Sequence, residues 1–187
     1  MRHLNLVVQT SLDGFVAGAN GTFDHFVGGE ENLAFVCSII EEADTILLGR
    51  ITFEMLNSYW PGAGSLPDAT KNIIKYSDWY NAASKNILSK TLAASENMAV
   101  INDNILSEVK VLKQQEGKNI LIFGSPTVVH TLLNLQLIDN IWLIVHPVIF
   151  GQGTPLFRDG KKVINFDLLH STQLSNGTLC NKYCLKL

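Results

Sequence analysis

Residues 119–157 read NILIFGSPTVVHTLLNLQLIDNIWLIVHPVIFGQGTPLF, and the order of patterns within them decides the fold. Ile120 to Phe123 is a short apolar run that halts at Gly124, as a strand covered on both faces does. Pro126 falls at a first helical position. Val128, Val129, Leu132, Leu133 and Leu135 then recur at helical spacing, so the pattern predicts an amphipathic helix over Thr127 to Asn134. Asp139 and Asn140 lead into a second apolar run, Ile141 to Phe150, expected to return as a strand. Strand, glycine turn, helix and strand make a βαβ unit. Its turn opens at the carboxyl end of the first strand, where ligands of open α/β sheets bind.

Working outward, Leu4 to Thr10 reads as a strand, and Ser11 to Gly18 as a turn or loop permitted by Gly14 and Gly18. Leu33, Phe35, Val36, Ile39 and Ile40 form a helical stripe behind Glu30 and Glu31. Two acids in a first turn suit the helix dipole as well as they suit chemistry. Thr45 to Leu48 is a buried-type strand that closes on Gly49, Arg50, Ile51 and Thr52. Free backbone N–H groups, a positive dipole end and a guanidinium fork make good anion-binding chemistry there. The alternative is a surface ion pair for Arg50 and a capping role for Thr52.

Tyr59 to Pro67 has a loop composition long enough to rim a site, with Trp60 either a substrate wall or a packing residue. A helix is predicted over Ile73 to Ala82. The next strand, Lys85 to Ser89, places Ser89, Lys90 and Thr91 at its end. Met98 to Ile101 is another strand, and Ile105 to Glu116 a surface helix closed by Gly117. Gly151 to Phe157 turns the chain, and Val163 to His170 alternates as a strand. Thr172 to Leu174, Ser175-Asn176-Gly177 and Thr178 to Leu187 form a hairpin, because Asn-Gly supplies the positive φ such turns need. The order implies a mostly parallel sheet with an antiparallel edge.

The formal net charge is −3 and the pI about 5.9, with no basic block, so neither nucleic acid nor an anionic membrane is indicated as a partner. The longest apolar run, Ile141 to Phe150, is too short to cross a bilayer and carries His146, and Met1 to Asn5 begin no long apolar region. Cys37, Cys180 and Cys184 lack metal-ligand spacing with the histidines and read as reduced thiols. No metal is expected, and a cytoplasmic setting is. The 187 residues suffice for one domain spanning 1–187.

A resemblance emerges from several short motifs taken together. Ser11-Leu12-Asp13-Gly14, Leu47-Leu48-Gly49-Arg50 with Thr52-Phe53-Glu54, and Ser89-Lys90-Thr91-Leu92 carry its first half. Phe123-Gly124 and Pro147-Val148-Ile149-Phe150-Gly151-Gln152-Gly153 with Pro155-Leu156-Phe157 carry the rest. Their order and spacing resemble the reductase-domain family of riboflavin biosynthesis, a branch of the dihydrofolate reductase fold, over nearly the whole chain.

That resemblance implies a three-layer α/β/α sandwich on a mostly parallel sheet, with NADPH along the carboxyl ends of the strands. By position, Gly49, Arg50 and Thr52 would hold a cofactor phosphate, and Ser89, Lys90 and Thr91 would flank the adenosine phosphate. Gly124, Ser125, Pro126, Thr127 and Val128 would hold the pyrophosphate, with the Gly124–Ser125 bond cis as in dihydrofolate reductases. Asp13 would lie beside the nicotinamide and substrate, with Glu30, Glu31 or an ordered water as alternative proton donors.

Ser125 stands where the family usually has a second glycine. Asn32 stands where dihydrofolate reductases carry the pterin-binding carboxylate, which counts against a pterin. The His-x-Glu and Cys-x-x-Cys signature of the zinc deaminase domain, joined to this reductase in the bifunctional enzyme, is absent. The implied activity is NADPH-dependent reduction of a small heterocyclic or sugar-imine substrate by a homodimer. The alternatives are a dihydrofolate or pterin reductase, and an NADP-binding protein without turnover.

Overall fold

Leu4–Thr10 (β1) is buried at every position except Gln9, as a strand with a layer on each face must be. A computed structural model describes residues 1–95, 97–157 and 163–186. After β1 come Phe15–Ala17 (β2), Glu30–Ile40 (α1), Ala43–Gly49 (β3), Arg50–Asn57 (α2), Trp60–Ala63 (α3), Lys71–Ala82 (α4) and Ser84–Leu88 (β4). Met98–Ile101 (β5), Ile105–Gln114 (α5), Asn119–Ile122 (β6), Pro126–Asn134 (α6) and Asn140–Val145 (β7) follow. Thr154–Pro155 (β8), Phe166–Gln173 (β9) and Leu179–Leu185 (β10) close the chain.

Eight strands form one sheet in the order β5-β4-β3-β6-β1-β7-β10-β9, and β2 with β8 forms a small ribbon. Pairing is parallel from β5 through β7 and antiparallel at β7–β10 and β10–β9. Alternate side chains feed two cores. Leu4, Leu6 and Val8 face Val109, Leu112, Val129 and Leu132 of α5 and α6, while Val7, Ile46 and Leu48 face Cys37, Ile40, Tyr76 and Tyr80 of α1 and α4. The fold is therefore the expected α/β sandwich. No helix among the described residues is long and apolar enough to cross a membrane.

At the amino ends of the strands, Arg2 pairs with Asp44 and bonds Thr45. Lys113 reaches Asp139 at 2.7 Å and the Leu137 carbonyl at 3.1 Å. Gly117 has φ +139°, and a Cβ there would sit 2.7 Å from Asp44 Oδ2, so only glycine lets this loop approach the Arg2–Asp44 pair.

Several boundaries differ from the sequence reading for identifiable reasons. The Ser11–Gly18 segment contains β2, whose partner β8 lies over 130 residues downstream. Trp60–Ala63 is a helical turn within the expected loop, since Pro61 in a first turn sacrifices no hydrogen bond. The run Ile141 to Phe150 leaves the sheet after Val145, ahead of Pro147, which has no N–H to donate. Gln115 is already extended, so α5 ends at Gln114 rather than Glu116. The strand expected from Val163 begins at Phe166 and runs to Gln173, in register with β10 across the Asn176-Gly177 turn. Leu187, the expected hairpin end, lies outside the described residues.

Candidate functional site

The site is a notch at the carboxyl edge of the sheet. β6 stops at Ile122, level with Leu6 of β1, and last pairs with β3 at Ile46–Leu121, whereas β1 runs on to Thr10 and β3 to Gly49. The gap is floored by the turn Gly124-Ser125, whose peptide bond is cis as the resemblance implied. Gly124 has φ +94°, and a Cβ on it would meet nothing within 4 Å. Gly49 faces this turn: a Cβ there would lie 2.9 Å from Val128 Cγ2 and 3.1 Å from Ser125 Oγ. The absent side chain thus lets the starts of α2 and α6 touch.

Neither start carries a side-chain cap, because Gly49 has no side chain and Ser125 makes no capping bond. Two sets of free N–H groups and two positive dipole ends therefore converge on one notch, which suits an anion. Thr52 is buried in the first turn of α2. Arg50 is exposed and grips Glu54, one turn along, at 2.8 and 2.9 Å. An exposed i,i+4 pair contributes at most about 0.5 kcal/mol, so little holds the guanidinium from another anion. Ser89 accepts from the N–H groups of Thr91 and Leu92 at 3.2 and 3.0 Å, which shapes the turn that exposes Lys90 and Thr91.

On the other side of the notch, Asp13 accepts from the Ser11 hydroxyl at 2.6 Å, the Phe150 N–H at 3.1 Å and the Gly151 N–H at 2.8 Å. These bonds, the Ser11 hydroxyl foremost, hold its pKa below the usual 3.8 although burial opposes them. Asp13 is a clasp between the β1–β2 turn and the loop after β7. Gly153 completes the clasp, since a Cβ there would meet the Ala17 carbonyl at 2.1 Å. A depressed pKa means the clasp holds above the ordinary carboxyl range and is lost as pH falls through the lower folded value. The Phe150 and Gly151 amide resonances are thus expected to shift on acidification with a midpoint below 3.8. Asp13→Asn should abolish the step, and a midpoint at or above 3.8 in the wild type would contradict the clasp.

The start of α1 is tied down by its own polar residues. Glu30 accepts from Thr70 and Asn72 at 2.8 and 2.6 Å. Glu31 binds the N–H and hydroxyl of Ser175, which lowers its pKa. Asn32 accepts from Asn176 at 2.5 Å and donates to Thr178 at 3.4 Å. Trp60 packs on Tyr76 at a ring separation of 4.0 Å, with Trp79 and Phe123 around Tyr76.

Sequence reasoning missed Gln9 and His146. Gln9 is the one exposed position of the central strand, while His146 is fully buried. The His146 Nε2 lies 2.8 Å from Gln9 Oε1, and the Phe26 ring covers the imidazole at 4.7 Å. A polar residue at the end of an apolar strand, in HPVIFG, was the available signal.

Residues 2–180 match the family described as the RibD C-terminal domain. The uncharacterized protein YyaP of Bacillus subtilis (strain 168) is 35% identical over 95% of this chain and 92% of its own. A solved structure of a provisional riboflavin biosynthesis protein from Shewanella sp. PV-4 superposes with TM-score 0.75 at 21% identity, over 99% of both chains. Dihydrofolate reductase from Enterococcus faecalis, solved with NADP(H), superposes with TM-score 0.64 at 12% identity, over 98% of this chain and 96% of that one.

Proposed function

Because this chain belongs to the RibD C-terminal domain family, we propose that it is an NADPH-dependent reductase of a small heterocyclic or sugar-imine substrate. The observation that carries the reading is the contact of Gly49 with Ser125 and Val128, which brings two uncapped helix starts to one notch. A pyrophosphate fits that chemistry: backbone donors, dipole ends and open space at Gly124. In this reading Gly124 to Val128 bind the pyrophosphate, and Gly49, Arg50 and Thr52 bind a phosphate beside Ser89, Lys90 and Thr91. The dihydronicotinamide supplies the hydride when bound, while this chain orients the partners.

Asp13 fixes the loop beside the reacting centre. Its carboxylate is occupied by three donors and held ionised, so it positions groups rather than donating a proton. Glu30 and Glu31 are likewise engaged, which leaves an ordered water as the proton source. With Asn32 bonded to Asn176 and Thr178, no carboxylate stands at the pterin-binding position, and the reading favours an imine over a pterin.

The test uses Arg50, because NADPH and NADH differ by one phosphate. A hydrogen bond to a charged group contributes about 1.5 to 3 kcal/mol, roughly ten- to a hundredfold in affinity. Arg50→Ala should weaken NADPH binding by that factor and change NADH by less than about twofold, read by quenching of tryptophan fluorescence. Equal losses for both cofactors would sink the phosphate role. Oxidation of NADPH with a panel of ribosylaminopyrimidines and pterins separates turnover from binding alone.

A homodimer belongs to the same proposal. The β9–β10 hairpin leaves Leu168, Leu169 and Leu179 between 41% and 57% exposed on one end of the sheet, more than a lone protomer needs. Light scattering at micromolar concentration should give twice 20.6 kDa, and a monomer mass would remove the idea.

A further inference from the structure

The tripeptide Asn-Gly-Thr occurs at residues 20–22 and again at 176–178, and the chain folds it into the same turn both times. At the first, the Gly21 N–H donates to the Gly18 carbonyl and the Gly18 N–H to the Thr22 carbonyl, both at 2.9 Å. At the second, the Gly177 N–H donates to the Leu174 carbonyl at 3.0 Å and the Leu174 N–H to the Thr178 carbonyl at 2.9 Å. Gly21 has φ +73° and Gly177 φ +85°. With the backbones alike, the two turns differ in how their asparagine side chains are held.

Asn176 is half-buried and anchored at both ends of its amide. Its Oδ1 accepts from the Thr178 N–H at 3.1 Å, and this backbone donor fixes which end is the oxygen. Its Nδ2 donates to Asn32 Oδ1 at 2.5 Å. Pro147 closes the glycine side, since a Cβ on Gly177 would lie 3.5 Å from Pro147 Cγ. Asn20 has none of these restraints. It is exposed, its carboxamide makes no hydrogen bond among the described residues, and a Cβ on Gly21 would meet nothing within 4 Å.

An asparagine followed by glycine is prone to lose its amide, because no side chain shields the next backbone nitrogen. That nitrogen gives up its proton and bonds to the asparagine Cγ, the amide leaves as ammonia carrying the proton, and a cyclic succinimide remains. Water then opens the ring, at Cγ to leave an aspartate, or at the main-chain carbonyl to leave an isoaspartate whose backbone runs through Cβ and Cγ. The attack requires the carboxamide to swing its carbon onto the nitrogen, which an amide anchored at both ends resists. We propose that Asn20 is the site at which the folded protein undergoes this modification, and that Asn32 shields Asn176 from it. The Gly18–Thr22 turn leads into the segment whose Phe26 lies 4.7 Å from His146 and 5.0 Å from Phe150. An isoaspartate lengthens a turn closed by two hydrogen bonds, so the change is one-way and loosens the anchor of that segment.

The test is peptide mapping by mass spectrometry of the full chain stored at neutral pH, folded and in urea beyond its unfolding midpoint. In the folded wild type, Asn20 should convert about tenfold faster than Asn176 or more, the factor that the two hydrogen bonds of Asn176 supply. In urea the two rates should converge, since both sites read Asn-Gly-Thr. Asn32→Ala should speed conversion at Asn176 about fivefold and leave Asn20 unchanged. The ring resonances of His146 should move as Asn20 converts and stay fixed in stored Asn20→Gln; unmoved resonances would refute the effect on the segment. Equal conversion of the two sites in the folded protein, or none at Asn20, overturns the proposal. A folded ratio that persists in urea assigns the difference to the flanking Ala19 and Ser175 and overturns it equally. If Asn32→Ala does not fold, the wild-type ratio, folded against urea, decides the matter alone; an unchanged rate at Asn176 in a folded variant removes the shielding role.

Discussion

Asp139→Ala is expected to lower the stability of the folded chain by about 3 to 5 kcal/mol, the usual cost of leaving one member of a buried pair alone. The Lys113 side chain is 7% exposed, and its ammonium is neutralised by Asp139 and donates a hydrogen bond to the Leu137 carbonyl. The same carboxylate accepts from the Leu4 N–H at 2.6 Å, so its removal strips a partner from the first residue of the central strand as well. At a urea slope of about 2 kcal/mol/M, the unfolding midpoint should fall by about 1.5 to 2.5 M. Asp139→Asn, which keeps an acceptor for Leu4, should lose less. A fall under about 0.5 M in the alanine variant would show that water reaches the ammonium and that the pair is a surface feature.

Gly49→Ala is expected to damage binding more than its size suggests. Its φ of −77° is open to any residue, so the cost is packing alone: the new Cβ would sit 2.9 Å from Val128 Cγ2 and 3.1 Å from Ser125 Oγ. Overpacking of this kind costs about 1 to 3 kcal/mol, and here it is relieved by moving apart the two helix starts that share the notch. NADPH affinity should fall at least about tenfold, and thermal unfolding should shift down with it. Val128→Ala removes the obstructing methyl group, so the double variant should regain most of the stability. Failure of that rescue would place the strain elsewhere.

The parts legible in the sequence are those set by local burial. Leu4–Thr10 and Met98–Ile101 have the boundaries expected of them, because a short run rich in apolar and β-branched residues marks a strand locally. Pro126 marks the start of α6 for an equally local reason. By contrast, β2 owes its existence to Thr154–Pro155, and the start of β9 to register with β10, neither of which a window of neighbouring residues contains.

The site divides in the same way. Gly49, Gly124 and Asp13 stand out by type and by their place after strands. That Gly49 touches Ser125, or that Asp13 is clasped by the N–H groups of Phe150 and Gly151, depends on residues more than 70 positions away. His146 was legible only as a polar interruption of an apolar run, since Gln9 and Phe26 give it meaning from the other end of the chain.

The position of β1 has a consequence for synthesis. Its partners are β6 and β7, so this strand can find neither neighbour until Asn119 and then Asn140 have been added. A ribosome advancing at about 5 to 20 residues per second needs roughly 7 to 30 s to cover that distance. Throughout that interval Leu4–Thr10 is an apolar ribbon with both backbone edges open, the kind of segment that pairs with other chains. Until β6 and β7 are made, only the order of synthesis keeps this strand from pairing elsewhere.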